Sequence, residues 1–351
     1  MPATMKSLRD PSELVEARLI GRDRLASLDS VAARYAVAIT PILADLIDAA
    51  DPNDPIARQF VPDERELAPQ VEEQPDPIGD ETHSPVAGIV HRYPDRVLIK
   101  LVNACAVYCR FCFRREMVGP GRGVLSRTEL AAALDYISRT PQIWEVILTG
   151  GDPLLLPPRR LKDVMERLAA IDHVKVIRIH TRMPIAAPQR ISQPLVAALR
   201  PGKATFVVLH ANHARELTAQ ARGACARIVD AGIPMLSQSV LLRGVNDDVE
   251  TLGALMRALV ECRIKPYYLH HADLAPGTAH FRTSIGEGQA LLRALHGRYS
   301  GLCQPHYVLD IPGGYGKSPV GPNYLSEDAA YVTDFQGVRH AYPLRMQTDR
   351  S

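Results

Sequence analysis

The chain has no excess of either charge, no long apolar run and few cysteines, and each absence removes a class of protein. Across 351 residues, 41 basic side chains meet 39 acidic ones, so no basic footprint for a nucleic acid is visible. The most apolar stretch, residues 31–50, carries Arg34, Pro41, Asp45 and Asp48. It reads as amphipathic helix, not as a membrane span. Residues 1–10 lack the apolar segment of a secretory signal, so a cytoplasmic protein with reduced thiols is expected. Six cysteines in so long a chain are not a disulfide framework. Cys225, Cys262 and Cys303 are scattered and are expected to be small buried apolar residues.

What is present from residue 95 onward is a strand–helix alternation. Strand-like runs cover 97–101, 145–148, 176–180, 205–209, 235–242 and 266–271, with helical patterns at 127–138, 159–171, 193–199, 217–231 and 248–262. Units of about 30 residues in this order argue for an α/β fold with a parallel sheet and helices outside it. A barrel and an open doubly wound sheet share that pattern. A last apolar strand is expected at 307–311. Residues 1–50 read as helical. Residues 51–86, rich in proline and acid, read as an irregular linker wrapped over the core. The expected division is 1–86, 87–303 and 304–351.

Three cysteines, Cys105, Cys109 and Cys112, follow the first strand-like run at C-x3-C-x2-C spacing. Three thiolates on one short loop can each hold one iron of a [4Fe–4S] cube and leave the fourth iron open. A structural zinc site normally takes four protein ligands, and no second cysteine pair exists, although His210, His213, His270 and His271 could supply a fourth ligand. The loop resembles the shared motif of the radical S-adenosylmethionine (SAM) enzymes, in which the open iron binds SAM and passes it an electron.

Further motifs fall after the strands, where barrels build their sites. In Thr149-Gly150-Gly151-Asp152-Pro153, two glycines let backbone approach a ligand and an aspartate can accept from an ammonium. Taken alone this is a tight turn, but radical SAM enzymes carry a similar stretch for the SAM amino group one unit after the cysteine loop. In Pro312-Gly313-Gly314-Tyr315-Gly316-Lys317 a phosphate loop is disfavoured, because Ile311 stands where its first glycine is needed. A lysine on a glycine-rich loop can instead form a Schiff base with pyridoxal phosphate (PLP). Arg114 could grip a carboxylate with two hydrogen bonds. Asp273 and Asp310 could together neutralise an ammonium.

Taken together these residues resemble the lysine 2,3-aminomutase family. The likeness runs from about His91 to Asn323 and includes His91-Arg-Tyr-Pro-Asp-Arg96, Gln189-Arg190-Ile191, Gln238 to Asp247, His280-Phe-Arg282 and Pro322-Asn323-Tyr324. It implies a partial (βα)6 TIM-like barrel of the radical SAM type, with N-terminal helices and a short C-terminal extension. It also implies an isomerase that turns α-lysine into β-lysine with a [4Fe–4S] cluster, SAM and PLP. Cys105, Cys109 and Cys112 match the cluster ligands, Gly150, Gly151 and Asp152 the SAM stretch, and Lys317 the PLP lysine. Arg114 matches the group for the substrate carboxylate, Asp273 and Asp310 the pair for its side-chain ammonium, and Arg92 and Arg96 arginines near the PLP phosphate. An electron donor such as flavodoxin or ferredoxin is implied, and a homo-oligomer is possible. The clostridial-type enzymes carry an interface zinc. Here Asp248 replaces one of its cysteines and no cysteine follows Cys303, so that zinc and its tetramer are not carried over. An aminomutase for glutamate, or a relative that makes β-lysine for elongation factor P, are the alternatives.

Overall fold

The computed structural model describes residues 6–68, 70–119 and 123–343. Nine strands form one sheet in sequence order: β1 (Ile89–Tyr93), β2 (Arg96–Val102), β3 (Glu145–Gly150), β4 (Val176–Thr181), β5 (Ala204–His210), β6 (Met235–Val240), β7 (Ile264–His270), β8 (His306–Ile311) and β9 (Gly316–Pro319). Each pair from β2 to β8 is parallel, and the two outer pairs, β1–β2 and β8–β9, are antiparallel. The edges come back together: the Lys317 amide on β9 donates to the Tyr93 hydroxyl on β1 at 2.6 Å. The sheet is therefore a nearly closed barrel, and the open doubly wound alternative is excluded.

The sequence explains the local choices. Val146, Ile147 and Leu148 are consecutive and all buried, as a parallel strand covered on both faces requires. Pro266 sits inside β7, where a proline cannot donate to the ladder; the β6–β7 register shifts beside it, between Ser237 and Gln238. The helices Arg127–Ser138 and Ile285–Leu295 begin with reciprocal capping boxes, Ser126 with Glu129 and Ser284 with Glu287. Asp248 caps the helix Val249–Glu261 by accepting from the Thr251 amide at 2.8 Å. Asp248 thus has a structural use here. Cys225, Cys262 and Cys303 are buried among apolar side chains.

Two expectations need correction. Residues 31–50 do not form one helix. Helix Leu25–Arg34 ends, and Ile39 then pairs antiparallel with Leu8 before Pro41–Ala44 turns helical again. Pro41 has no amide hydrogen to give a preceding turn, so it starts a helix and cannot continue one. Residues 51–86 are also more than an irregular linker. They hold the helix Pro55–Phe60 and the 3-10 turn Glu64–Leu67, and they bury Asp54, Gln59, Glu66 and Asp80. Among the described residues no helix is long and apolar enough to cross a membrane.

Candidate active site

One cavity of about 690 Å³ is lined by every site residue expected from the sequence: the three loop cysteines, Gly150 to Asp152, Arg92, Arg96, Arg114, Asp273, Asp310 and Lys317. Tyr93 and Lys317, 224 positions apart, both line it, because the strands close on themselves.

The cysteine loop is braced from the N-terminal segment. Its Tyr108 and Arg110 amides donate to the carbonyls of Ala38 and Gln59, at 2.9 Å each. Glu66, wholly buried, accepts from Arg110 Nε at 2.8 Å and from Arg110 Nη2 at 2.5 Å, and also pairs with Arg115. Two arginines share this one carboxylate, and Arg115 acts on the Cys112 thiol. Burial pushes the Cys109 thiol up to about 12 and raises Cys105 and Cys112 as well, so iron must draw off these protons as it binds. Among the described residues no three His, Cys, Asp or Glu side chains group around a single ion. A cube takes one thiolate per iron and needs no such grouping.

Gly151 explains the next motif. A Cβ there would lie 2.1 Å from the Ala104 carbonyl oxygen, so only glycine lets the loop before Cys105 settle on the end of β3. Gly150 adopts φ +104°. The Asp152 carboxylate accepts from the Leu154 amide (3.0 Å), the Arg182 amide (2.8 Å) and the Thr181 hydroxyl (2.7 Å). These bonds tie the ends of β3 and β4 together, a use of the carboxylate that the sequence did not reveal.

The glycine-rich stretch is a hairpin turn. Gly313, Gly314 and Gly316 have φ near +90° (+87°, +87° and +93°), and the His83 ring packs on Gly314, its Nε2 3.0 Å from the Gly314 carbonyl oxygen. Lys317 is therefore not on a loop but on strand β9. Its Nζ lies 2.6 Å from Asp310 Oδ1. Asp310 Oδ2 lies 3.2 Å from His270 Nδ1, and Arg92 Nη1 is 3.9 Å from Asp310 Oδ1. His270 and Lys317 outweigh burial and hold the Asp310 carboxyl well below the usual range. Asp273 has the opposite environment: burial, with the Asp310 charge beside it, pushes it up to about 8. His270 and His180 are driven below their ordinary values by burial, and His210 to about 3.

Asp80 was not foreseen. It accepts from Arg114 Nε at 2.8 Å and from Arg92 Nη2 at 3.4 Å, and so joins the two arginines. A lone acid in a proline-rich stretch gives no periodic signal by which it could have been found. Arg96 lies over the Tyr93 ring at 4.1 Å and pairs with Asp95 at 2.9 Å.

The residues present fit polar guests. Arg92 Nε, His180 Nε2, His210 Nε2, His270 Nε2 and Asp273 Oδ1 are buried without a protein partner, and all five residues line the cavity. Such orphaned groups ask for an explanation, and a bound anion, amine or heterocycle would supply one.

Comparison with known proteins bears on what those guests are. The Radical SAM superfamily pattern matches residues 99–255, and the lysine-2,3-aminomutase C-terminal pattern matches residues 292–348. The chain is 42% identical over 309 residues to the L-lysine 2,3-aminomutase of Acetoanaerobium sticklandii, covering 87% of this chain and 75% of that one. It is likewise 42% identical to the L-lysine 2,3-aminomutase of Clostridium subterminale, covering 87% and 74%. With the glutamate 2,3-aminomutase of Clostridioides difficile the identity is 36%, over 87% of this chain and 72% of that one.

Proposed function

Because the chain belongs to the lysine 2,3-aminomutase family of radical SAM enzymes, we propose that it converts L-lysine to β-lysine by moving the amino group from C2 to C3. The cofactors are a [4Fe–4S] cluster, SAM and PLP. The observation that carries the choice of substrate is the pair Asp273, half-buried, and Asp310, buried, both in the wall of the cavity that the cysteine loop lines. Asp310 is ionised and Asp273 can ionise as an ammonium arrives, so the pair suits an ammonium, whereas a side-chain carboxylate would meet the Asp310 charge, which disfavours glutamate.

When bound, the cofactors supply a hydrogen-abstracting radical and a conjugated system across which nitrogen can move. The chain's part is binding and placement. Cys105, Cys109 and Cys112 hold three irons. Lys317 offers its amine to the PLP aldehyde, held meanwhile by Asp310. Asp80 occupies Arg114 Nε and leaves the Nη1 and Nη2 atoms of Arg114 with no hydrogen-bond partner among the described residues. That free edge can take the substrate carboxylate with two parallel bonds. Asp273 and Asp310 receive the side-chain ammonium. Fixing both ends of lysine places its C3 hydrogen for transfer, and such fixation is worth up to about 7–11 kcal/mol in well-oriented reactions. Neutral His180, His210 and His270 keep further positive charge away from the ammonium site.

The reaction needs an external one-electron donor of the flavodoxin or ferredoxin kind, and a cytoplasmic setting would keep the thiols reduced. The deciding experiment is anaerobic incubation with SAM, PLP, dithionite and each amino acid in turn, with products separated chirally. β-Lysine from lysine alone is expected. Turnover of glutamate in place of lysine would overturn the substrate, and a colourless protein free of iron would overturn the chemistry.

A further inference from the structure

The loop that would hold the cluster is a wall with two sides. Cys105 and Ala106 line the central cavity, and the same two residues, with Ala104, line a second and separate depression of about 950 Å³. This depression lies between the N-terminal segment (Arg9, Thr40, Pro41), the stretch Ala186 to Arg190, and the start of the helix Ala219–Asp230. None of the residues assigned to substrate, SAM or PLP reaches it. What it does reach is Cys105, one of the three cysteines assigned to the cluster.

Its rim is positively charged. Arg9, Arg190 and Arg227 line it, against one carboxylate, Asp45. All three arginines are exposed, and among the described residues none forms an ion pair. Arg227 bonds only to the Pro188 and Ile191 carbonyls, and Arg190 to those of Leu154 and Leu155, so their charges are not neutralised. In a chain whose charges otherwise nearly cancel, an unpaired basic cluster around a path to the metal loop is unexpected on composition.

We propose that this depression is the docking surface for the electron donor: a small one-electron carrier protein that presents an acidic face around its redox centre. The inference rests on the radical SAM reading above. One electron passes from the reduced carrier to the oxidised cluster through the Cys105 side of the wall. The carrier is oxidised by one electron, the cluster is reduced by one, and no atom or proton is transferred at this surface. The separation has a use, since the donor can reduce the cluster without opening the cavity that must exclude water from a radical.

The test uses the reconstituted holoenzyme and a photoreduced flavodoxin with an acidic face, with bleaching of the cluster absorbance followed by stopped flow. Gln189 and Gln220 are exposed on the same rim. The double variant Gln189→Glu/Gln220→Glu adds two negative charges without changing side-chain size. Electrostatic steering of association is worth about 10–10³-fold, so reduction by flavodoxin should slow at least tenfold. Arg9→Glu should slow it as well. Added salt should slow the parent and erase the difference between parent and variants. Reduction by dithionite, a small reagent, should stay within about twofold. Unchanged flavodoxin rates in both variants would overturn the docking surface. The cluster spectrum is recorded before any reductant is added, so a failure of the cluster itself is seen separately and would remove the proposed function along with this inference.

Discussion

Asp310 and Lys317 are Cα partners across the β8–β9 ladder, and their side chains meet at 2.6 Å on one face of that hairpin. Residues directly opposite on antiparallel strands share a face, so the glycine turn between them sets the pairing. The carboxylate proposed for a substrate ammonium is thus held in readiness by the chain's own ammonium.

That pairing gives a spectroscopic prediction. Lys317→Ala should abolish PLP absorbance in the purified protein and leave the brown iron–sulfur spectrum intact. PLP retained as an imine in this variant would remove Lys317 from its assigned role.

The Asp273 carboxyl predicts a proton linkage. Its value is raised to about 8, so at pH 7 the free protein holds it protonated. An arriving ammonium favours the ionised form, so binding lysine should release up to one proton at pH 7. Lysine affinity should rise with pH up to about 8 and then level. Calorimetry in buffers of different ionisation enthalpy measures the release, and Asp273→Asn should abolish it. Equal proton release in parent and variant would assign the linkage elsewhere.

Glu66 tests the brace under the cysteine loop. Glu66→Gln leaves Arg110 and Arg115 without their buried counter-charge, and breaking a buried pair typically costs about 3–5 kcal/mol. The melting temperature should fall clearly, and iron uptake on reconstitution should fall with it. Glu64→Gln, in the same 3-10 turn but exposed, should cost less than about 1 kcal/mol. Equal effects would show that Glu66 carries no special weight.

Gly151→Ala should displace the loop before Cys105, because the new Cβ meets a backbone oxygen at 2.1 Å that cannot swing aside. Iron content per chain after reconstitution is the readout. Gly321→Ala, with nothing within 4 Å of its Cβ, is the matched control and should load normally.

The order of strands and helices is legible because the parallel strands are short apolar runs and the longer helices carry their own period, four of them with a side-chain cap at the start. Proline-broken segments are not, since Pro41 divides a run whose apolar period continues through it. The glycines pick out Lys317, but in sequence alone they read as a loop. Only the register of β8 with β9 shows a strand that faces Asp310.

By itself the sequence determined the local chemistry: three thiols on one loop, glycines where backbone must pass close, and acids at strand ends. Spacing along a chain records such neighbours because a few bonds separate them. Tertiary structure alone decided the partners of the buried acids: Arg110 and Arg115 for Glu66, Arg92 and Arg114 for Asp80, and for Asp152 the Thr181 hydroxyl and Arg182 amide at the end of β4. Those pairs lie 12 to 49 positions apart. A buried charge finds its partner by barrel closure and desolvation, which leave no period in the sequence.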